Sequence, residues 1–382
     1  MIALTPSVAA KFAEDVYQIQ EGLIGERTFK SLHKNKLSFE PTSFQPTTTG
    51  GVFYRRKFGF AVLAMGKKGS DYEGEAFLIF KGTKGLADIL TDLNTGFRST
   101  PRGNRVHAGF AKAMEELRTA INTFVANAGT VKHFNCIGHS LGGAVATLAA
   151  DQIAAASAGK GRSVRLFTFG SPRVGDLEFA RQLETRVGTD NIFRVNHTSD
   201  PVPAIPTFPF HHTAASNEGY QIYTSACLYS YHLMGTYRKS CENKTWKSLT
   251  SYKRSRHSEA YIKAQLNSNR PLTLTYGSIE LLSKMLNFVI HGIVKVGAIV
   301  IGGAYASFSS LFDKLAYIMS ENINIEGESS HFIKRLIIRL CQALGIKQHQ
   351  NESFSHSFIR FVLTTYWHRT SAVVNKAFQD EL

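Results

Sequence analysis

The hydrophobic and polar positions of the chain repeat with helical and strand periods along roughly its first 200 residues. Apolar residues at helical spacing predict helices over 5–21, 108–127, 141–158 and 176–187, and short apolar runs predict strands over 52–65, 75–80, 131–137, 164–169 and 192–196. The first two strands are joined by a hairpin-type connection, and the proline- and threonine-containing segment 36–50 predicts a loop. Because strands and helices alternate from about residue 75 to about residue 200, the sequence predicts the α/β class with a mostly parallel sheet. Chemistry in such sheets lies at the carboxyl ends of the strands.

The strand and helix alternation stops after about residue 268, where glycines cluster and long apolar stretches begin. This change predicts an α/β domain over 1–267 and a mainly helical, membrane-associating C-terminal region over 268–382. Within that region, 286–305 is about long enough to span a bilayer but carries His291 and Lys295 near its middle. A membrane span and a buried helical hairpin both remain open for it.

The segment 331–344 places its apolar residues on one helical face, flanked by Lys334, Arg335 and Arg339. This pattern is typical of a basic amphipathic helix on an anionic membrane, and also of a core-facing helix with a solvated basic side. The whole chain is basic, with 44 Lys and Arg against 29 Asp and Glu, a net charge of +15. Such a charge attracts anionic partners. An anionic membrane surface is expected, and nucleic acid is not, because no nucleic-acid-binding motif is found.

The cysteines and the N-terminal segment indicate the cellular compartment in which the protein is expected. The four cysteines are Cys136, Cys227, Cys241 and Cys341. Their spacing fits no zinc pattern, and we expect all four to be reduced, although Cys227 and Cys241 could form a disulfide in an oxidising compartment. Thr5 and Pro6 indicate a helix start, and the segment lacks the features of a signal peptide. The expected location is cytoplasmic or peripheral to a membrane, with secretion by a signal-peptide-independent route as the alternative.

A nucleophile is indicated where the predicted strand 131–137 meets the predicted helix 141–158. The connecting sequence GHSLGG contains the pattern G-x-S-x-G, with Ser140 flanked by His139 and set between Gly138 and Gly142. This is the nucleophile elbow in the setting that it requires, a strand followed by a tight turn and a helix. Side chains at the two glycines would clash in so tight a turn, and the helix N-terminus favours developing negative charge. Ser140 is therefore the predicted nucleophile.

With this elbow, the chain resembles the class 3 lipase family, which includes the fungal triacylglycerol lipases. The resemblance runs from about residue 60 to about residue 240. It rests on FKGT at 80–83, AD at 87–88, TDL at 91–93, VHAGF at 106–110, GHSLGG at 138–143, FTFGSPRVGD at 167–176 and DPVP at 200–203. The resemblance implies an α/β-hydrolase fold and cleavage of acyl esters of glycerolipids, without a metal or organic cofactor.

The acid of the predicted triad comes from the family's D-P-V-P stretch. Asp200 lies just past the end of the predicted strand 192–196, at the catalytic edge of the sheet, and the chain order Ser, Asp, His fits this fold. Its task would be to orient the histidine and stabilise the imidazolium. Asp176 is the rival, and its position after a turn favours a helix N-cap instead.

The base is expected to be His232, because the family carries a His-x-Met-x-x-Tyr stretch that matches residues 232–237. His211 and His212 follow Asp200 too closely and resemble a structural loop of the relatives. His257 lies among arginines, which would oppose formation of an imidazolium.

Two backbone donors are expected to form the oxyanion hole. Leu141, the residue after the nucleophile, supplies one N–H. The family's F-R-G-T/S stretch matches 80–83 and assigns the second donor to Thr83, with Lys81 in place of the more common Arg. Between 84 and 105 the fungal relatives carry a lid helix. Here an apolar face with Asp88 and Asp92 opposite predicts either a lid or an anchored helix.

These observations predict a serine esterase that hydrolyses glycerolipid acyl esters, as a lipase or a phospholipase, through Ser140, Asp200 and His232. One alternative is a phospholipase A-type bacterial toxin or effector exported without a signal peptide, for which an inhibitor or immunity protein would be the partner. Another is a membrane-binding or pore-forming module with a vestigial hydrolase domain. The expected partners are a lipid substrate and an anionic membrane surface.

Overall fold

The computed structural model describes most of the chain. The described residues are 4–49, 56–82, 97–100, 104–206, 209–213, 219–224, 229–249, 258–295, 311–325, 327–347 and 354–379. The chain divides into two compact units, Met1–Tyr252 and Lys253–Leu382. The division falls before the predicted boundary at 267/268, so the helix just before that boundary is grouped with the second unit.

The first unit contains the strands. In chain order they are β1 (Leu37–Ser38), β2 (Phe44–Thr49), β3 (Arg56–Gly66), β4 (Glu75–Phe80), β5 (Phe97–Ser99), β6 (Arg105–His107), β7 (His133–His139), β8 (Ser163–Phe169), β9 (Ile192–His197) and β10 (Tyr220–Ile222). Its helices are α1 (Pro6–Asp15), α2 (Leu23–His33), α3 (Ala108–Asn127), α4 (Leu141–Ser157), α5 (Leu177–Val187), α6 (Met234–Cys241) and α7 (Trp246–Leu249). The four strands and three helices predicted between 75 and 200 are confirmed, apart from shifts at their ends.

The main sheet has the strand order β3-β4-β7-β8-β9-β10, with β1 and β2 also paired to β3. All pairs from β4 to β10 are parallel, and β3 pairs antiparallel with β4, as the predicted hairpin requires. The register aligns Ile79 with Ile137 and Ile137 with Phe167, a buried apolar row. Strands buried on both faces need such continuous apolar runs. The same register brings the carboxyl ends of β4, β7 and β8 to one edge, which confirms the α/β prediction.

The predicted loop over 36–50 is wrong, because β1 and β2 both fall within it. The strand β2 pairs antiparallel with β3, and its register shifts between Gln45 and Pro46. Proline cannot donate to a ladder and is tolerated at edge strands and at bulges. The proline and threonine composition therefore marks an edge strand here instead of a loop.

A buried polar cluster lies near the amino ends of the central strands. The Arg165 guanidinium is 3.4 Å from a Glu75 carboxylate oxygen, and Asn135 donates to the other oxygen at 2.7 Å. All three side chains are buried. A buried charge requires such a partner, since an unpaired one is strongly disfavoured. This cluster is at the opposite end of the strands from the nucleophile.

The second unit is helical in its described residues. Its helices are α8 (Glu259–Asn267), α9 (Tyr276–Lys295), α10 (Leu311–Asn322), α11 (Glu328–Leu344) and α12 (His356–Gln379). The predicted segment 286–305 starts within α9, and its part beyond residue 295 lies outside the described residues. No helix in the described part of the chain is long and apolar enough to cross a membrane.

Helix α11 covers the segment 331–344 and does not present its apolar face to a membrane. It packs against α8, α9, α10 and α12, and its apolar residues are buried within the unit. The Arg339 guanidinium is buried as well and donates to the Gln342 amide oxygen at 2.7 Å, while Arg335 donates to the Leu266 carbonyl at 3.0 Å. The unit's own oxygen atoms therefore bind the two arginines of this flank, and Lys334 is exposed. The core-facing alternative is the one that the structure supports.

Candidate active site

The strand β7 and the helix α4 meet at Ser140, which lies at φ 56° and ψ −129°. Among the described non-glycine residues, only Ser140 and Asn243 have a positive φ. The Ser140 N–H donates to the Phe169 carbonyl at 3.0 Å, which fixes the turn against β8. A side chain at Gly138 would collide with the backbone of Gly142, and one at Gly142 would collide with the Phe80 carbonyl. Both glycines are therefore required by the close approach of strand and helix.

The structure brings together the three residues predicted to form the triad. The Nε2 atom of His232 is 2.9 Å from the Ser140 Oγ, and its Nδ1 atom is 2.9 Å and 3.0 Å from the two carboxylate oxygens of Asp200. All three side chains are buried. With the proton on Nδ1 donated to the carboxylate, Nε2 accepts the serine hydroxyl proton. Asp200 follows the end of β9, and His232 directly precedes the start of α6.

Three donors hold the Asp200 carboxylate. Besides His232, the backbone N–H of Val202 donates to one oxygen at 2.9 Å, and the Tyr237 hydroxyl donates to the other at 2.6 Å. On the opposite side, Gly170 at φ +54° leaves so little room that a Cβ there would lie 2.6 Å from the carboxylate. The carboxylate is therefore fixed both by hydrogen bonds and by contact.

Tyr237 is itself positioned by β9. Its oxygen accepts the backbone N–H of His197 at 3.0 Å while its proton goes to Asp200. Burial raises the pKa of the Tyr237 hydroxyl well above its usual value, and the neighbouring Asp200 charge raises it further. Tyr237 therefore remains a protonated donor across the whole working pH range. Burial also lowers the pKa of the His197 imidazole, whose Nδ1 donates to the Tyr231 carbonyl at 2.7 Å.

His139, inside the elbow, links the N-terminal segment to the base. Its Nε2 is 2.6 Å from the His232 carbonyl, and its Nδ1 is 2.6 Å from the Tyr17 hydroxyl. A carbonyl only accepts, so Nε2 carries the proton and Nδ1 accepts from Tyr17. Burial lowers the pKa of His139 well below its usual value, and the nearby His232 adds to this shift. His139 is therefore a neutral imidazole that ties the backbone of His232 to the segment before α2.

Of the two predicted oxyanion donors, Leu141 is described and Thr83 is not. Leu141 is buried and begins α4 immediately after the nucleophile. Thr83 lies outside the described residues, but its neighbour Gly82 lies against the site. A Cβ at Gly82 would collide with the Tyr17 hydroxyl and would be 3.1 Å from the Ser140 Cβ. The end of β4 therefore adjoins the nucleophile, where a second donor is needed.

The rival residues are placed elsewhere. Asp176 is the N-cap of α5 and accepts the Phe179 N–H at 2.9 Å, which confirms the predicted cap. His211 bonds through its backbone to the Gly175 carbonyl at 2.7 Å, and His212 follows it on the same loop, whereas His232 is the histidine paired with Ser140.

Several other predictions fall outside the described residues. They concern His257, Cys227, the pair Asp88 and Asp92, and the helical lid candidate from 85 to 96 within the stretch 84–105. The other three cysteines are buried, and burial raises the pKa of Cys241 to about 12. Among the described residues, no group of three or more His, Cys, Asp or Glu side chains could hold a metal ion.

Sequence reasoning missed the supporting residues around the triad. Tyr237 stands in the His-x-Met-x-x-Tyr stretch, so its spacing from His232 was a usable signal. Tyr17 carries no local signal, since it reads as one more apolar position of a predicted helix. Gly170 has a signal only in the FTFGSPRVGD stretch, where a glycine follows a buried strand.

The arrangement supplies each element of nucleophilic acyl transfer. The strained turn directs the Ser140 hydroxyl at its proton acceptor, which is 2.9 Å away, and a buried carboxylate fixes the tautomer of that acceptor. The N-terminus of α4 points its N–H groups toward the space beside Ser140 and favours negative charge there.

Comparisons with known proteins agree with this geometry. Residues 77–210 match the family profile described as lipase (class 3). The secreted mono- and diacylglycerol lipase 1 of Fusarium solani is 36% identical over 147 residues, which are 37% of this chain and 42% of the relative. A lipase of Rhizopus niveus is 34% identical over 151 residues, 37% of each chain. The chain thus spans about two fifths of the length of these curated relatives.

Solved structures of fungal lipases also align. The native Rhizomucor miehei lipase propeptide complex gives a TM-score of 0.39 with 22% identity, covering 57% of this chain and 67% of that chain. Lipase II from Rhizopus niveus gives a TM-score of 0.38 with 24% identity, covering 59% of this chain and 83% of that chain.

Proposed function

We propose that the chain, whose residues 77–210 match the class 3 lipase profile, is a serine esterase that hydrolyses acyl esters of glycerolipids. The observation that carries the proposal is the continuous hydrogen-bonded series from Ser140 through His232 to Asp200. That series is buried. The Nε2 atom of His232 faces the Ser140 hydroxyl and can accept its proton, which is the arrangement that activates a serine.

The reaction proceeds in two halves. Ser140 Oγ attacks the ester carbonyl while His232 Nε2 takes its proton, and Asp200 stabilises the resulting imidazolium. The N–H groups of Leu141 and Thr83 bind the oxyanion. The imidazolium then protonates the leaving alcohol, which departs and leaves the acyl group on Ser140. A water molecule, deprotonated by His232, attacks this acyl-enzyme and releases the fatty acid and the free serine.

The substrates that we propose are acylglycerols. Support comes from the Fusarium solani relative, whose name gives mono- and diacylglycerols as its substrates. The reacting acyl ester is the same uncharged group in acylglycerols and in phospholipids, so the expected preference rests on the name of this relative. We therefore expect neutral acylglycerols to be cleaved faster than charged phospholipids.

A second candidate is phospholipase A activity on anionic phospholipids. The net charge of +15 favours it, because a positive protein concentrates at an anionic lipid surface. An exported effector acting with an inhibitor protein would be one form of this activity. The location remains a prediction from sequence, cytoplasmic, peripheral to a membrane or exported.

The test is acyl release from a panel of lipids. Wild type, Ser140→Ala and Ser157→Ala would be incubated with a triacylglycerol, a diacylglycerol, a monoacylglycerol, and neutral and anionic phospholipids, and free fatty acid would be measured. Ser157 is the matched control, because it is a buried serine at the other end of α4. We expect release by wild type and Ser157→Ala only, with mono- and diacylglycerol preferred.

The outcomes separate the candidates. Preferred release from anionic phospholipid would replace the acylglycerol proposal with the phospholipase candidate. Equal release by wild type and Ser140→Ala would reject the serine mechanism altogether.

A further inference from the structure

Two large apolar side chains stand exposed at the beginning of α2. Leu23 is 73% exposed and Ile24 is 71% exposed, the two highest values among the exposed large hydrophobic residues of the described chain. They follow Gly22, which turns the chain at φ +64°. Exposing adjacent apolar side chains at a projecting helix start is unfavourable in water. Such a pair is a common mark of a surface that binds something apolar.

This pair lies close to the active site. The 3-10 segment Val16–Glu21 precedes it, and Tyr17 in that segment bonds His139 and adjoins Gly82. Six residues separate Tyr17 from Leu23, which limits the distance between them to about 20 Å even for an extended chain. The start of α2 is also packed on that segment, since a Cβ at Gly25 would collide with the backbone of Gln18.

A third exposed apolar residue, Leu233, lies at the start of α6 beside the catalytic histidine. Leu233 is 44% exposed and follows the proposed base directly. Two positions later, a Cβ at Gly235 would lie 3.6 Å from the Glu14 carboxylate, and Glu14 stands one turn before Tyr17. The start of α6 and the segment that leads to α2 are thus neighbours, and both flank the catalytic histidine.

The charges around the pair are positive. Arg27 is exposed one turn after Leu23, and Lys34 is exposed on the same side of the helix after it ends. The acid of this helix, Glu26, is also one turn from Leu23 but is only partly exposed, whereas Arg27 and Lys34 are exposed, so the exposed charge near the pair is positive. Exposed apolar side chains next to exposed cations are the combination that binds an anionic lipid surface, by insertion and by attraction.

We propose that the tip of α2, formed by Leu23, Ile24 and Arg27, docks the protein on an anionic lipid surface and sets the active site against it. This inference rests on the proposed function, because docking there brings ester bonds to Ser140. The site of docking lies in the N-terminal segment, before the residues that match the family, and is separate from the helices of the second unit.

The first test measures binding without hydrolysis. In the Ser140→Ala background, partition onto vesicles of phosphatidylcholine with 30 to 40% phosphatidylglycerol (about one anionic lipid in three) would be measured by sedimentation. The variant Leu23→Ser with Ile24→Ser is expected to bind about tenfold or more weakly, because two apolar side chains no longer leave water. Both residues are exposed, so the change leaves the core intact.

The matched control replaces exposed apolar residues elsewhere. Ile325 is 53% exposed and Phe361 is 55% exposed, both in the second unit. Ile325→Ser with Phe361→Ser is expected to bind vesicles as the parent does. Equal losses in the two double variants would overturn the assignment to α2, since general apolar surface would then explain binding.

The charge component has its own measurement. Arg27→Gln is expected to weaken binding to these anionic vesicles roughly fivefold and to leave binding to pure phosphatidylcholine unchanged. Equal binding of Arg27→Gln and parent to the anionic vesicles would contradict the electrostatic part of the proposal.

An activity measurement separates docking from catalysis. In proteins with Ser140 intact, the rate on a diacylglycerol held in anionic vesicles would be divided by the rate on a soluble short-chain ester. This ratio is expected to fall about tenfold or more in Leu23→Ser with Ile24→Ser, in line with the loss of binding. If no ester is hydrolysed, the proposed function fails while the vesicle measurement still decides docking. Unchanged vesicle binding with a changed oligomeric state would reject docking and assign the pair to contact with a second copy of the chain.

Discussion

Replacing Tyr237 by Phe removes one hydroxyl that serves two buried groups. The hydroxyl donates to Asp200 at 2.6 Å and accepts the backbone N–H of His197 at 3.0 Å. Tyr237 is fully buried, so water cannot take its place without rearrangement. After the change, the carboxylate of Asp200 retains the donors His232 and Val202 only. Its orientation, and with it that of the imidazole, then becomes less tightly fixed.

The magnitude follows from the kind of bond that is lost. A hydrogen bond to a charged group contributes about 1.5 to 3 kcal/mol. The imidazolium forms in the transition state, so the support of Asp200 counts mainly there, and kcat is expected to fall about 10- to 150-fold. The KM for a soluble ester should change little, because the triad lies between Tyr237 and the substrate.

The assay compares kcat and KM on a soluble short-chain ester for wild type, Tyr237→Phe and Tyr366→Phe. Tyr366 is the matched control, a buried tyrosine of the second unit whose hydroxyl donates to the neutral Ile279 carbonyl at 3.2 Å. Its loss is expected to affect stability and not kcat. A kcat for Tyr237→Phe within about threefold of wild type would refute the reasoning, since the carboxylate would then be held sufficiently without the hydroxyl.

Three further changes test the site and its scaffold. Gly170→Ala is expected to lower kcat at least about tenfold, because its Cβ would press on the triad carboxylate. Gly159 has a similar positive φ but open space around it, so Gly159→Ala should lower the free energy of unfolding by about 1 kcal/mol and leave activity on a soluble ester unchanged. Equal activity of the two variants would contradict this. Because burial holds the pKa of His139 below its unfolded value of about 6.5, the folded chain binds fewer protons than the unfolded chain, and the free energy of unfolding should fall as the pH is lowered from about 7.5 to about 5.5 on account of this residue. Urea denaturation at both values should show a shallower fall in His139→Gln, and an identical fall would exclude the effect. Arg165→Met is expected to lower the free energy of unfolding by about 3 kcal/mol, since it leaves a buried carboxylate unpaired, and adding Glu75→Gln should recover part of that loss. A double-mutant cycle by urea denaturation measures the coupling, and a coupling of zero would show that the pair is not energetically linked.

The central part of the fold could be predicted because its physical signals are local. Strands such as β4 and β7 are continuous apolar runs, and the helices between them keep a regular apolar face. The nucleophile elbow can be recognised in the sequence by its glycines, which no other residue could replace. The positions of Ser140, Asp200 and His232 at one edge then follow from chain order and from the parallel arrangement of the strands.

The supports of the site could not be predicted in this way, because they depend on contacts between distant parts of the chain. Tyr17 and His139 are 122 residues apart in sequence and meet only in the folded unit. The strand β2 could not be predicted from its own polar sequence, because it is a strand only through its pairing with β3. Arg339 was expected on a solvated flank, and only the packing of the second unit shows that its guanidinium is bound by neighbouring oxygen atoms.

The anchoring of the base by Tyr17 bears on how such enzymes can be recombined. A chimera that exchanged only residues 77–210 with a relative would carry Ser140 and Asp200 across the junctions. In that chimera, the residues at the positions of His232 and Tyr17 would come from the recipient protein. The hydrogen bond from the tyrosine to the imidazole, which fixes the backbone of the base, would then depend on the recipient's sequence. Crossover points for productive shuffling therefore belong before α1 and after α6, so that the 3-10 segment carrying Tyr17 is inherited together with the histidine whose backbone it helps to fix.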